Sequence, residues 1–212
     1  MTTPQILILL AHPDLGHSRV ARSLQAAALG LNSAQIECRD LYKLYPDYNI
    51  DVDAEQAAVS RSDLLVWLHP LHWYSMPALL KLWIDEVLRF GWAYGPGGTA
   101  LQGKDLWVVS SSGGSAQDYR PEGHHQHTIE DYLLPQAQTA RLCGMHFVPP
   151  LILHSAHRAD DASLYQHGLR FAQQLLSYPN WCENSEQPHY PAPVGTDERP
   201  AGALASNPGV QP

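Results

Sequence analysis

Five short apolar runs punctuate the chain, each separated from the next by a stretch of helical periodicity. The runs lie at 6–10 (ILILL), 36–41 (IECRDL), 64–68 (LLVWL), 106–110 (LWVVS) and 147–153 (FVPPLIL). Their length is that of strands, and the unbroken apolar character of the first and third is that of parallel strands buried on both faces. Helical patterns fill 20–29, 54–60, 76–88, 129–142 and 161–176. Strands alternating with helices predict a doubly wound α/β fold around a five-stranded parallel sheet. Pro149 and Pro150 inside the fifth run predict a sheet edge or an irregular start, because proline cannot donate to an interior ladder.

The pattern is strongest at 63–88, DLLVWLHPLHWYSMPALLKLWIDEVL. A strand is stopped by His69 and Pro70, two aromatics follow, and a helix then places Leu79, Leu80, Trp83, Ile84, Val87 and Leu88 on one wide apolar stripe. Ser75 is the expected helix cap, with Pro77 in the first turn, where no backbone N–H bond is lost. In open parallel sheets ligands bind beyond the carboxyl ends of the strands. Trp73 and Tyr74 fall at such an end, placed to cover a flat ligand. Trp92 and Tyr94 follow the helix in a glycine-rich loop, and so many large apolar groups in one region predict a surface shared with a second copy.

After Trp181 the pattern vanishes. Six prolines stand among Gly, Ala, Ser and Glu, a composition that cannot bury enough apolar surface to order itself. The expected division is a folded domain over 1–181 and a disordered Pro-rich tail over 182–212.

Composition narrows the function classes. A net charge of −8 without a basic cluster argues against nucleic acid or an anionic membrane as the main partner. Cys38, Cys143 and Cys182 are widely spaced, which fits a reducing cytosol better than a disulfide framework. No run has the ~18 apolar residues of a membrane helix, and the N-terminus lacks the features of a signal peptide. A cytoplasmic protein is expected. Twelve histidines raise the question of a metal. Yet neither the His69/His72 pair nor the cluster His124, His125 and His127 has a carboxylate or thiolate at ligand spacing, and none is expected.

The chemistry is expected in three loops at the carboxyl edge. The first, 12–19, runs into a helix N-terminus, where free N–H groups and the dipole attract an anion, and His12, Ser18 and Arg19 add side-chain donors. The second, 69–74, offers aromatic faces. The third, 110–127, begins with serines and glycines that let the backbone approach a planar group. Phosphate at one loop and a flat ring between the others describe a flavin nucleotide.

These residues also resemble a known family. AHP at 11–13 with Ser18, DLYKLYPDYNIDVDAEQ at 40–56, HPLHWYSMPALLKLWID at 69–85 and WAYGPGGTALQGK at 92–104 are similar to the NAD(P)H quinone reductases, flavodoxin-like flavoproteins. The resemblance spans about 5–178 and is nearest to a bacterial branch, the ancillary proteins of glutathione-regulated potassium-efflux systems. It implies a flavodoxin-like fold and an FMN or FAD. His12 and Ser18, Arg19, Val20 and Ala21 match the phosphate segment. Leu71, His72, Trp73 and Tyr74 match the segment at the isoalloxazine edge. Ser110, Ser111, Ser112, Gly113 and Gly114 stand where the family usually has Thr-Thr-Gly-Gly against the ring's far side. A tyrosine and a histidine six residues later assist hydride transfer in the family, and Tyr119 and His125 have that spacing, with His124 as the alternative. The implied activity is two-electron, ping-pong transfer from NADH or NADPH to a quinone by a homodimer. The implied alternative is an activating subunit of a potassium efflux antiporter, peripheral to the inner membrane through that partner.

Overall fold

The computed structural model describes residues 3–182, and the Pro-rich stretch from 183 onward lies outside them. Five parallel strands form one sheet: β1 (Ile6–Leu10), β2 (Ile36–Asp40), β3 (Leu64–Pro70), β4 (Asp105–Ser111) and β5 (His146–Leu153), in the order β2-β1-β3-β4-β5. This is the expected sheet, in flavodoxin-like order. Register runs unbroken across the centre, with Leu10 opposite Leu68 and His69 opposite Ser110. Only the β4–β5 pairing slips, between Trp107 and Val109, where β5 holds Pro149 and Pro150. The prolines thus mark a sheet edge and a bulge together, because neither supplies a ladder donor.

Strand residues alternate between two cores. Leu7, Leu9, Leu65, Trp67, Leu106 and Val108 face one layer, formed by α3 (Val52–Arg61), α4 (Ala78–Val87) and α5 (Ile129–Leu142). Ile8, Leu10, Val66, Leu68, Trp107 and Val109 face the other, formed by α1 (Arg19–Gly30) and α6 (Asp161–Ser177). Cys182 is buried in this second core and Trp181 packs on Trp107 with ring centroids 5.0 Å apart.

Two readings of the organising unit need correction. Ser75 does not cap the helix, because its backbone N–H and C=O both pair with His72 in a tight turn. The helix starts at Ala78, with Pro77 in the cap position and no side-chain cap of its own. The Tyr42 hydroxyl, from a one-turn helix α2 (Leu41–Leu44) that the sequence did not reveal, accepts the Leu79 N–H at 3.3 Å instead. The ground for expecting a second copy there also needs revision, since much of the apolar stripe is covered within the protomer. Leu79, Leu80, Trp83, Val87, Ala93 and Tyr94 are buried within the protomer.

The same layer hides a charge. Glu55 on α3 is 0% exposed. One carboxylate oxygen accepts from the Arg39 guanidinium and the Tyr45 hydroxyl, and the other from the Trp83 indole at 2.8 Å. Both carboxylate oxygens thus have hydrogen-bond donors, and β2, α3, α4 and the end of α2 are tied to one another.

Candidate functional site

The first loop is shaped by short-range polar bonds. The His12 Nδ1 accepts the Asp14 backbone N–H at 3.1 Å. In the neutral ring the proton is therefore on Nε2, which is left as a donor. Burial, helped by nearby His72, holds the His12 pKa below its ordinary value. Ser18 caps α1, its hydroxyl oxygen accepting from Ala21 N at 3.1 Å. Val20 and Ala21 turn their side chains into the core. Arg19 spends its guanidinium on the Ala159 carbonyl and Asp161. A phosphate would therefore find the Ser18 O–H and the N–H groups of Arg19 and Val20, which have no intrahelical acceptor.

The second loop is a two-residue hairpin turn. His72 and Ser75 exchange two backbone bonds of 2.9 Å, while Trp73 and Tyr74 sit at φ +48° and +63°. Such turns normally take Asn or Gly, because a side chain at positive φ crowds the backbone. Two consecutive aromatics there are strained. Trp73 is 93% exposed, so packing among the described residues does not explain its position. Tyr74 stacks on Tyr132 of α5 at 5.3 Å and meets His125 edge-on at 5.6 Å. Leu71 N donates to the Ser111 carbonyl, binding this loop to the third.

In the third loop Ser110 still belongs to the sheet interior. Ser112 is buried, with its hydroxyl donating to the Gly114 carbonyl, while Gly113 is exposed and nothing would meet a Cβ there. A planar group thus has open access to that backbone. Beyond it, Asp118 accepts from Ser115 N and Oγ, which lowers its pKa. Tyr119 turns inward and is 7% exposed. His125 lies on Tyr119 with centroids 4.5 Å apart and planes tilted 31°, whereas His124 touches only the edge of His125. The geometry places His125, rather than His124, beside Tyr119. Burial raises the Tyr119 pKa against the opposing pull of the Ser112 hydroxyl, so the phenol keeps its proton near neutral pH.

In this loop the backbone is crowded at two glycines. A Cβ on Gly123 would lie 2.3 Å from the Gln117 carbonyl oxygen, and one on Gly114 would lie 3.1 Å from both the His125 and Tyr119 rings. Only a bare backbone lets the loop fold this tightly.

Ring contacts join the loops. His12 meets His72 at 6.1 Å, Tyr74 meets His125, and His125 meets Tyr119. Two members were not anticipated: Tyr132, in the first turn of α5, and His154, just past β5 and 5.5 Å from Tyr119. The signal for His154 was available, since the carboxyl end of the fifth strand lies at the same edge as those of the first, third and fourth. Among the described residues no group of three or more His, Cys, Asp or Glu side chains is arranged to hold a metal.

Residues 4–175 match the family model described as flavodoxin-like fold. The chain belongs to that family. Among solved structures it is similar to general stress protein 14 from Treponema denticola in complex with FMN, at 36% identity over 85% of this chain and 98% of that one, with a TM-score of 0.74. An NADPH-quinone reductase from P. pentosaceus is 28% identical over 80% and 96% of the two chains, with a TM-score of 0.73. The crystal structure of a thermophilic tryptophan halogenase from Streptomycin violaceusniger also matches, at 36% identity, 80% and 98% coverage and a TM-score of 0.77. These names differ in activity; the fold is what they share. No helix among the described residues is long and apolar enough to cross a membrane.

Proposed function

We propose that this chain is a flavin-dependent oxidoreductase that takes two electrons from NAD(P)H and passes them to a quinone, each substrate using the same pocket in turn. The observation that carries the reading is the Trp73–Tyr74 turn. A strained turn holding an indole 93% exposed, at the same sheet edge as a helix N-terminus with free N–H groups and joined to its loop through His72 and His12, suits a planar, phosphate-bearing cofactor. FMN, bound to the Treponema denticola structure, fits these residues, with FAD as the alternative.

A bound flavin supplies the two-electron carrier that no side chain here provides. The chain supplies the rest. The His12 Nε2–H, the Ser18 O–H and the first N–H groups of α1 hold a phosphate. The open backbone at Gly113 and the exposed Trp73 would hold the flat ring. Tyr119 and His125 hold donors where negative charge grows during reduction, and a donor already in place is worth more there than mobile water. Trp73 and Tyr74, with Tyr48 and Leu44 exposed at the same edge, leave surface for a second copy to close over the pocket. A homodimer belongs to the same reading.

Tyr119→Phe and His125→Gln test the roles. Each is expected to slow reduction by NAD(P)H roughly tenfold or more, within the ~10²–10³-fold cost of losing a preorganised donor, with flavin content unchanged. Stopped-flow reduction at the wild-type rate in both variants would refute the assignment, and His124→Gln should reduce normally. Turnover of a soluble quinone by the isolated protein separates this reading from a purely regulatory one.

A further inference from the structure

The turn of Ser112, Gly113 and Gly114 is gripped from outside by the segment leaving β5. Ser112 N donates to the Leu153 carbonyl, Ser155 N to the Gly114 carbonyl and Ala156 N to the Ser112 carbonyl, each at 2.9 Å. Ser155 takes left-handed backbone, φ +53°, strain that lets 154–156 wrap the turn. Between these bonds the His154 Nδ1 lies 3.0 Å from the Ser112 hydroxyl, and the His154 ring forms a second wall beside Tyr119, on which His125 also lies. The Ser112 hydroxyl has one proton, and the Gly114 carbonyl at 3.1 Å takes it. With the proton on that carbonyl the oxygen is free to accept, and the bond to His154 then runs from its Nδ1–H.

We propose that His154 is a positioning residue for the flavin site: its Nδ1–H holds the Ser112 hydroxyl in the orientation that closes onto Gly114, and so fixes the backbone that faces the ring. Glu130 and Tyr119 are the other ionisable neighbours; the Tyr119 hydroxyl also interacts with Ser112, and His154 is the neighbour that reaches Ser112 from the β5 side. The inference rests on the flavin reading and goes beyond it, since it assigns the rigidity of that backbone to a residue outside all three expected loops.

Two measurements test it. In the flavin-free wild type, ¹⁵N NMR of the imidazoles should show His154 as the Nδ1–H tautomer; an Nε2–H tautomer reverses the bond and overturns the proposal. FMN titration followed by fluorescence quenching should show Kd raised roughly tenfold in His154→Leu and in Ser112→Ala, as loss of one buried hydrogen bond predicts. In His154→Asn, whose amide can still donate, Kd should stay within about twofold. Because His154 acts through Ser112, the double variant should bind no more weakly than Ser112→Ala alone. Wild-type affinity in His154→Leu, or additive losses in the double variant, would overturn the proposal. Near-UV circular dichroism matching the wild type separates these losses from misfolding. A wild type that binds neither FMN nor FAD sinks the flavin reading itself, and the tautomer then decides alone whether His154 holds Ser112.

Discussion

Trp73 and Tyr74 show how a residue's conformation exposes its role. Left-handed backbone costs a non-glycine residue roughly 1–2 kcal/mol, and strain of that kind concentrates where ligands bind. Trp73 recovers nothing from packing, being 93% exposed, while Tyr74 gains its stack on Tyr132. Trp73→Asn, with a residue that tolerates this backbone, is expected to raise the thermal midpoint by a few degrees, about 0.5–1 kcal/mol, and to weaken flavin binding. Calorimetry and FMN titration on the same variant check both halves. At this scale spacing led to two residues that the structure brings together: the Tyr119 and His125 ring centroids lie 4.5 Å apart, and their chemical role is left to the kinetic test. It failed where a contact depends on long-range folding. Ser112 and His154 are 42 positions apart, and Tyr132 looks like any helix residue until Tyr74 reaches it.

At the scale of elements, the strands were legible because burial on both faces writes an unbroken apolar run. The short helix α2 was not, since four residues with Tyr42 and Lys43 at their centre carry no period. The cap of α4 was misread for a related reason. Ser75 is the right residue type in the right place, but the hairpin takes its backbone and leaves the Tyr42 hydroxyl to bond Leu79. Loops depend on glycine in a way that composition alone does not locate. Gly123→Ala would drive a Cβ against the carbonyls of Gln117 and Asp118, pushing apart the two arms that carry Tyr119 and His125. The expected result is a protein that folds and binds FMN, with NAD(P)H-driven reduction slowed at least about tenfold, since small misplacements of catalytic groups are costly. Unchanged kinetics would show that the loop rebuilds itself around the methyl group.

For the whole molecule, buried histidines set the response to acid. His167 on α6 is buried without a partner for its Nε2, and burial brings its pKa down from 6.5 to about 4. Between those values the unfolded chain binds a proton that the folded chain refuses. Stability is therefore complete above about pH 6.5 and falls as pH drops toward 4, by on the order of 3 kcal/mol for this residue. Burial moves His12, His69 and His154 in the same direction. Urea unfolding at several pH values should show this slope, and His167→Gln should flatten it; an unchanged slope would place the acid sensitivity elsewhere.

The flavin site is the claim on which the account turns, and one titration tests it most directly. Purified protein, stripped of any bound chromophore, is titrated with FMN and then with FAD while flavin fluorescence and absorbance are followed, and NADPH or NADH is added anaerobically to the loaded sample. The account predicts saturation at about one flavin per chain, as expected for a single preformed site, a visible spectrum perturbed by Trp73, and bleaching by the nicotinamide. A folded protein that leaves the fluorescence of both flavins unquenched at micromolar concentration would contradict it.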